Sequence, residues 1–235
     1  MDSKTALTRT GIIALVGLLL RGVSVGPGVA AEPEAPARVA VLVEETLPAV
    51  GGTPSLPGYR VVEVLTRHQI RAQAISAAEA AKPEILNVRR FTALVLPYGG
   101  AFPQSALGNI RAFHAAGGCL VTGGIPFTHP FGRAADGTWQ DLGRKNRSVH
   151  GAEGMGTGGV GGPLPKGETP EFDVPTNPVG LTRATLPTDL AAGRWLDPFS
   201  MPPDDEVIPL IEVSSATGES HAAAALIRHG CADFR

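Results

Sequence analysis

Apolar residues in this chain fall into short runs separated by glycine and proline, and the clearest arrangement lies between Phe91 and Phe127. Ala93-Leu94-Val95-Leu96 is an unbroken apolar run closed by Pro97, the pattern of a strand buried on both faces. After Gln104-Ser105, the residues Leu107, Ile110 and Phe113 recur three apart and lay an apolar stripe along one side of a helix. Gly117-Gly118 ends that helix, since glycine takes the left-handed C-cap conformation without steric cost. Cys119-Leu120-Val121-Thr122 reads as a second buried strand, stopped by Gly123-Gly124. Two apolar strands bracketing an amphipathic helix predict a right-handed βαβ unit with parallel strands.

The same reading extends toward the N-terminus. Ala37 to Val43 (ARVAVLV) is apolar enough for a central strand, and Glu44 to Gly58 is a loop with three prolines and three glycines. Tyr59 to Ile70 places Val61, Val64, Leu65 and His68 on one helical face. Arg71 to Ser76 alternates polar and apolar residues, as a half-exposed edge strand does, and Ala77 to Leu86 adds a helical turn or two around Pro83. Over residues 37–127 this order predicts an α/β fold, a flavodoxin-like doubly wound parallel sheet with strand order about 2-1-3-4.

Beyond Phe127 the pattern dissolves. Residues 128–205 read as an irregular glycine- and proline-rich insertion, with Asp136-Gly137 as a tight turn before Thr138-Trp139-Gln140. Gly151 to Gly162 holds seven glycines in twelve residues. Regularity returns at Glu206–Val213 and Ala222–Arg228, a β-hairpin with Gly218 in its turn. Residues 206–235 are expected to complete the domain at the sheet edge, or to be the last part of a chain that once ran further.

The first 31 residues have the character of a signal peptide. Lys4 and Arg9 form a basic n-region, Gly11 to Leu20 is apolar, and Val29-Ala30-Ala31 fits small-residue cleavage. Ten apolar residues fall short of the ~20 that span a bilayer, so no membrane span is expected after cleavage. Export to the periplasm or the extracellular space is the expectation, with the mature chain starting at Glu32. The net charge of −2 and the 18% of charged residues argue against a nucleic-acid partner. Two cysteines, Cys119 and Cys231, exclude a disulfide-stapled scaffold and leave two free thiols or one bridge formed after export.

At LVLPYGGAFP (Leu94–Pro103) and IRAFHAAGGCLV (Ile110–Val121) the chain resembles the class I glutamine amidotransferase-like superfamily. The likeness is to its non-catalytic branch, typified by the β-galactosidase trimerisation domain, and it covers residues 37–127 well and the terminal hairpin loosely. Catalytic members place a nucleophilic cysteine in a sharp elbow after the fourth strand, where a helix N-terminus favours the thiolate. Here that tip is Thr122-Gly123-Gly124-Ile125, and Cys119 lies at the other end of the strand as an expected core hydrophobe. No His-x-Glu pair follows, which excludes glutaminase chemistry. The resemblance implies a non-catalytic module of a secreted, carbohydrate-related protein that serves assembly or glycan contact.

In an open parallel sheet, ligands bind beyond the carboxyl ends of the strands. Those ends gather Glu44, Glu45, Tyr98, Gly99, Gly100, Thr122, Gly123 and Gly124, with His129 shortly after. Two carboxylates, a phenol, an imidazole and accessible backbone amides suit a polyhydroxylated ligand, with Tyr98 as a stacking platform. Ordinary turns with solvated glutamates are the plain alternative. The loop Gly154 to Gly159 lacks the strand before and the helix after that a phosphate cradle needs. His129, Asp136, His150 and Glu153 follow no metal-ligand spacing, so neither a metal nor a cofactor is expected. The competing reading is a secreted hydrolase that brings His129, Asp136 or His150 over the crevice. A glycan or a partner domain is the expected partner, and oligomerisation is open.

Overall fold

The computed structural model describes residues 38–50, 55–123, 126–143, 159–160, 171–185, 195–197, 205–214 and 218–228. The expected signal peptide of residues 1–31, Gly124, His150, Glu153, Cys231 and nearly all of the glycine-rich segment 151–162 lie outside the described residues. The chain divides into two compact units, one holding the described residues 38–143 and the other those from 159 to 228.

The first unit is an α/β structure. In chain order it contains β1 (Arg38–Leu42), α1 (Gly58–Arg67), β2 (Arg71–Ile75), α2 (Ala77–Ala80) and β3 (Ala93–Leu96). It continues with β4 (Ala101–Pro103), α3 (Leu107–Ala115), β5 (Cys119–Thr122), β6 (His129–Arg133) and β7 (Trp139–Asp141). Strands β1, β2, β3 and β5 form a four-stranded parallel sheet in the order β2-β1-β3-β5, the order read from the sequence. Val39 to Leu42 and Ala93 to Leu96 are buried, so the two apolar runs do form the centre of the sheet. Leu107, Ile110 and Phe113 are buried along one side of α3.

Local chemistry explains the helix boundaries. Ser76 accepts the Glu79 amide while the Glu79 carboxylate accepts the Ser76 amide, a capping box that starts α2. Gly117 takes φ +97 after α3, and the Gly118 amide returns to the Phe113 carbonyl. Gln69 performs the same stop after α1 at φ +62, with the Ile70 amide bonded to the Leu65 carbonyl.

Two expectations are corrected in this unit. Residues 128–141 are not irregular. β6 pairs parallel with β4 and antiparallel with β7, making a small three-stranded sheet whose hairpin turns at Gly137, φ +83. The sequence pattern hides β4 because three residues ending in proline carry no period, and their pairing is with residues 28 positions away (Ala101 with His129). The second correction concerns β5. It lies at the end of the sheet order, Cys119 is exposed, and Leu120 to Thr122 are half-buried. An apolar run does not distinguish a central strand from an outer one.

The second unit contains β8 (Gly159–Val160), β9 (Glu171–Asp173), β10 (Leu196–Asp197), β11 (Glu206–Ser214) and β12 (Ser220–Arg228). The expected hairpin is present as β11 and β12, with Gly218 at φ +83. It does not extend the parallel sheet: β11 pairs on its other side with β9 in a sheet of its own. The register shifts between Pro209 and Ile211, where proline withholds a ladder donor. Leu181, Leu210 and Ile211 form this unit's core, and the Asn177 side chain holds the loop beside them through the Leu181 amide and carbonyl.

Candidate functional site

The carboxyl ends of β1 and β3 meet the start of α1, and Tyr98 stands at that junction. Its ring is buried, 5% exposed, and its hydroxyl accepts the Glu44 amide at 2.6 Å. The amide of Gly58, first residue of α1, also donates to the phenol. Burial pushes the Tyr98 pKa up, and the two amides pull it down without reversing the shift. The stacking platform expected at Tyr98 is therefore corrected. Gly99 turns the chain at φ +59, β4 follows, and the ring faces the fold's own backbone.

Glu44 is also engaged by the fold. One carboxylate oxygen accepts the amide of Ala77, first residue of α2, at 2.7 Å; the other meets Arg133 Nη1 at 3.3 Å. A carboxylate at a helix start satisfies an amide that has no partner within the helix. Arg133 lies over the Trp139 ring, 4.7 Å from its centroid, and Trp139 Nε1 donates to Thr46 Oγ1 at 3.0 Å. The rim of the parallel sheet is thus fastened to the β6–β7 hairpin by one ion pair and one hydrogen bond.

The remaining expected residues divide. Glu45 is exposed beside this cluster. Gly99 and Gly100 are buried, and the Gly100 carbonyl accepts the amides of Thr128 and His129, so this is no open backbone surface. Thr122 and Gly123 are half-buried at the end of β5, and Gly124 lies outside the described residues. His129 begins β6 half-buried, with Nδ1 2.9 Å from the Thr128 hydroxyl. Asp136 does not join it. Its carboxylate accepts the Thr138 amide and hydroxyl in the hairpin turn, beyond the far end of β6. The four-residue step from His129 to Arg133 alone separates them by about 13 Å at strand rise.

Arg133, Trp139 and Thr46 are the members of the cluster that sequence pattern does not single out. Asp136-Gly137 does signal a hairpin, and a hairpin places Arg133 opposite Trp139. Its seat on the sheet rim is a tertiary fact with no local signature. Cys119 is exposed although protein around the sulfur raises its thiol pKa by desolvation. Among the described residues no three His, Cys, Asp or Glu side chains gather as metal ligands. Among the same residues no helix is long and apolar enough to cross a membrane. The chain matches no protein-family model, no curated protein and no solved structure.

Proposed function

We propose that this chain is a non-catalytic module of an exported, carbohydrate-related protein, built on a flavodoxin-like, amidotransferase-like α/β core and serving assembly or glycan contact. The observation that carries the reading is the engagement of the rim groups. Glu44 and Tyr98, the residues best suited to acid–base work, spend their polar atoms on Ala77, Arg133, Glu44 and Gly58 of the same fold. What the rim offers outward is Arg133, half-exposed, stacked on a half-buried Trp139. A flat ring backed by a guanidinium is a contact surface for a sugar face or for another protein. The test is a neutral-glycan array together with sedimentation of the full chain, each repeated on Trp139→Ala. The reading expects either glycan binding or self-association that the substitution abolishes. Neither property in the parent chain would remove it.

One contact favours a second reading, that of a secreted hydrolase. The Thr128 hydroxyl and His129 Nδ1, at 2.9 Å, have the spacing of a nucleophile and its base. A broad ester and glycoside hydrolysis screen decides it. Turnover lost in both Thr128→Val and His129→Gln would replace the module with an enzyme.

A further inference from the structure

β12 forms one edge of the second unit's sheet, whose order is β12-β11-β9. It pairs with β11 from end to end, and among the described residues no strand pairs with its outer side. β10 does not fill that side. It pairs with β8, and its neighbour Trp195 reaches β12 through a ring stacked on His221, 4.4 Å between centroids. An edge strand presents a row of N–H and C=O groups ready to pair with another chain, and proteins guard such edges by short length, charge or proline. β9, the opposite edge, is three residues long. β2, an edge of the parallel sheet, has Arg71 and Gln73 exposed along it. β12 has none of these protections. It is nine residues long, and from Ala222 to Ile227 it contains no charge and no proline. The side chains of Ala222 to Ala225 are too small to shield the backbone between them. Ala223, Ala224 and Leu226 pack against the Leu181–Leu210–Ile211 core, which holds the strand in place as a fixed template.

We propose that the outer side of β12 pairs antiparallel with β12 of a second copy of this chain, a two-fold axis at Ala224 joining two three-stranded sheets into one. In a two-fold antiparallel pair one residue faces its own copy. Centring on Ala224 uses the whole of both strands: Ser220 faces Arg228, His221 faces Ile227 and Ala222 faces Leu226. The charges at the two ends select this direction. Glu219, its side chain 75% exposed, precedes the strand, and the exposed Arg228 ends it. Antiparallel pairing lays the Arg228 end of each copy beside the Glu219 end of the other, whereas parallel pairing sets like charges together. Arg228 bonds Glu206 of β11 at 3.0 Å, but that partner lies on its inner side, and a guanidinium has five N–H donors to share. An unrelated strand would meet the same backbone; only a second copy brings both end charges in complementary order. The joined sheet then ends in β9 on each side, too short to recruit a further copy, so the assembly closes as a dimer. The inference goes beyond the reading above, whose contact lies at Trp139 in the other unit.

The experiment uses the full chain with Cys119 and Cys231 replaced by serine. Sedimentation is expected to show a dimer; a monomer at about 100 μM, well above the range of specific dimers, would overturn the proposal. Ser220→Cys and Arg228→Cys chains are then prepared separately and treated with a short bis-maleimide, alone and mixed. Positions 220 and 228 stand about 27 Å apart along a strand, so antiparallel pairing is expected to link the chains only in the mixture. Links formed by either chain alone, as parallel pairing gives, or no link in the mixture, would overturn it. Glu219→Lys is expected to weaken the dimer about three- to tenfold, and Glu219→Lys/Arg228→Glu to recover most of the loss, since the ends then carry exchanged charges. A dimer unmoved by Glu219→Lys would remove the ground for choosing a second copy as the partner. Trp139→Ala is expected to keep the dimer. Self-association lost in Trp139→Ala and kept in Glu219→Lys would assign it to the rim and overturn the pairing at β12. Failure of that pairing leaves neutral-glycan binding at Trp139 untouched, so the two readings fail separately.

Discussion

The Tyr98 hydroxyl lies 2.6 Å from the Glu44 amide nitrogen and accepts its N–H, joining the ends of two neighbouring strands through one phenol. Because Tyr98 is buried, Tyr98→Phe leaves that amide and the Gly58 amide without their partner. An unsatisfied buried donor costs about 1–3 kcal/mol, which urea titration would resolve. The pH dependence follows from the raised phenol pKa. The folded state keeps the proton that the unfolded state releases near pH ~10, so this stability is fully present below ~10 and lost as pH rises through the folded value. Tyr98→Phe is expected to flatten the alkaline limb of the stability profile. An alkaline limb identical in both proteins would show that the phenol does not titrate with folding.

Glu44 makes two contacts of unequal worth. Its bond to the Ala77 amide is part-buried and satisfies a helix start, whereas Arg133 is half-exposed and its attraction is screened. Glu44→Ala is expected to cost about 1–2 kcal/mol, and Arg133→Ala less than about 1 kcal/mol and less still in high salt. Glu44→Gln keeps an acceptor oxygen for Ala77 and should recover most of the loss. If Gln proves as damaging as Ala, the charge and not the hydrogen bond holds this corner.

The elements legible in the sequence are those whose cause is local. Leu107, Ile110 and Phe113 announce α3 by spacing, Gly117 announces its end by conformation, and the alternation of Arg71 to Ile75 announces an outer strand. Residues that depend on distant neighbours carry no such local sign. Tyr98 follows a strand and so reads as a rim residue, yet the turn at Gly99 and the strand after it enclose the ring. Cys119 sits in an apolar run, yet β5 has a neighbour on one side among the described residues and the residue is exposed. The Arg38–Arg71 pairing is of the same kind, since 33 positions of sequence separate residues that the sheet makes adjacent.

Among the described residues two other than glycine have positive φ, and they predict opposite outcomes. Gln69 is exposed at φ +62, so Gln69→Gly relieves a left-handed strain at the end of α1 without losing packing. A gain of about 0.5–1 kcal/mol is expected by thermal melting. Phe127 has φ +60, but its ring is 1% exposed and meets Phe102 edge-on at 5.3 Å. Phe127→Gly removes that ring and is expected to cost about 3–5 kcal/mol, well beyond any relief of strain. Stabilisation by both substitutions would mean that the Phe102–Phe127 contact contributes little to the fold.

Gly58 offers the sharpest test of how the rim is assembled. It is the first residue of α1, and a Cβ built on it would lie 2.6 Å from the Leu42 carbonyl oxygen, 3.0 Å from Val43 Cγ2 and 3.1 Å from the Tyr98 hydroxyl. The first of these is backbone at the end of a central, buried strand, so it cannot swing aside as a flexible side chain does. Alanine favours helix over glycine by up to about 1 kcal/mol, and at an unhindered helix start it would be neutral or better. Here the helix must move outward instead, drawing the Gly58 amide from Tyr98 and loosening α1 against β1. Gly58→Ala is therefore expected to destabilise by about 1–3 kcal/mol, the usual penalty of overpacking. Combined with Tyr98→Phe, it should cost less than the sum of the two, because both remove the same hydrogen bond. Simple additivity in a double-mutant cycle would show that the start of α1 and the Tyr98 hydroxyl act independently, and that the phenol is held by Glu44 alone.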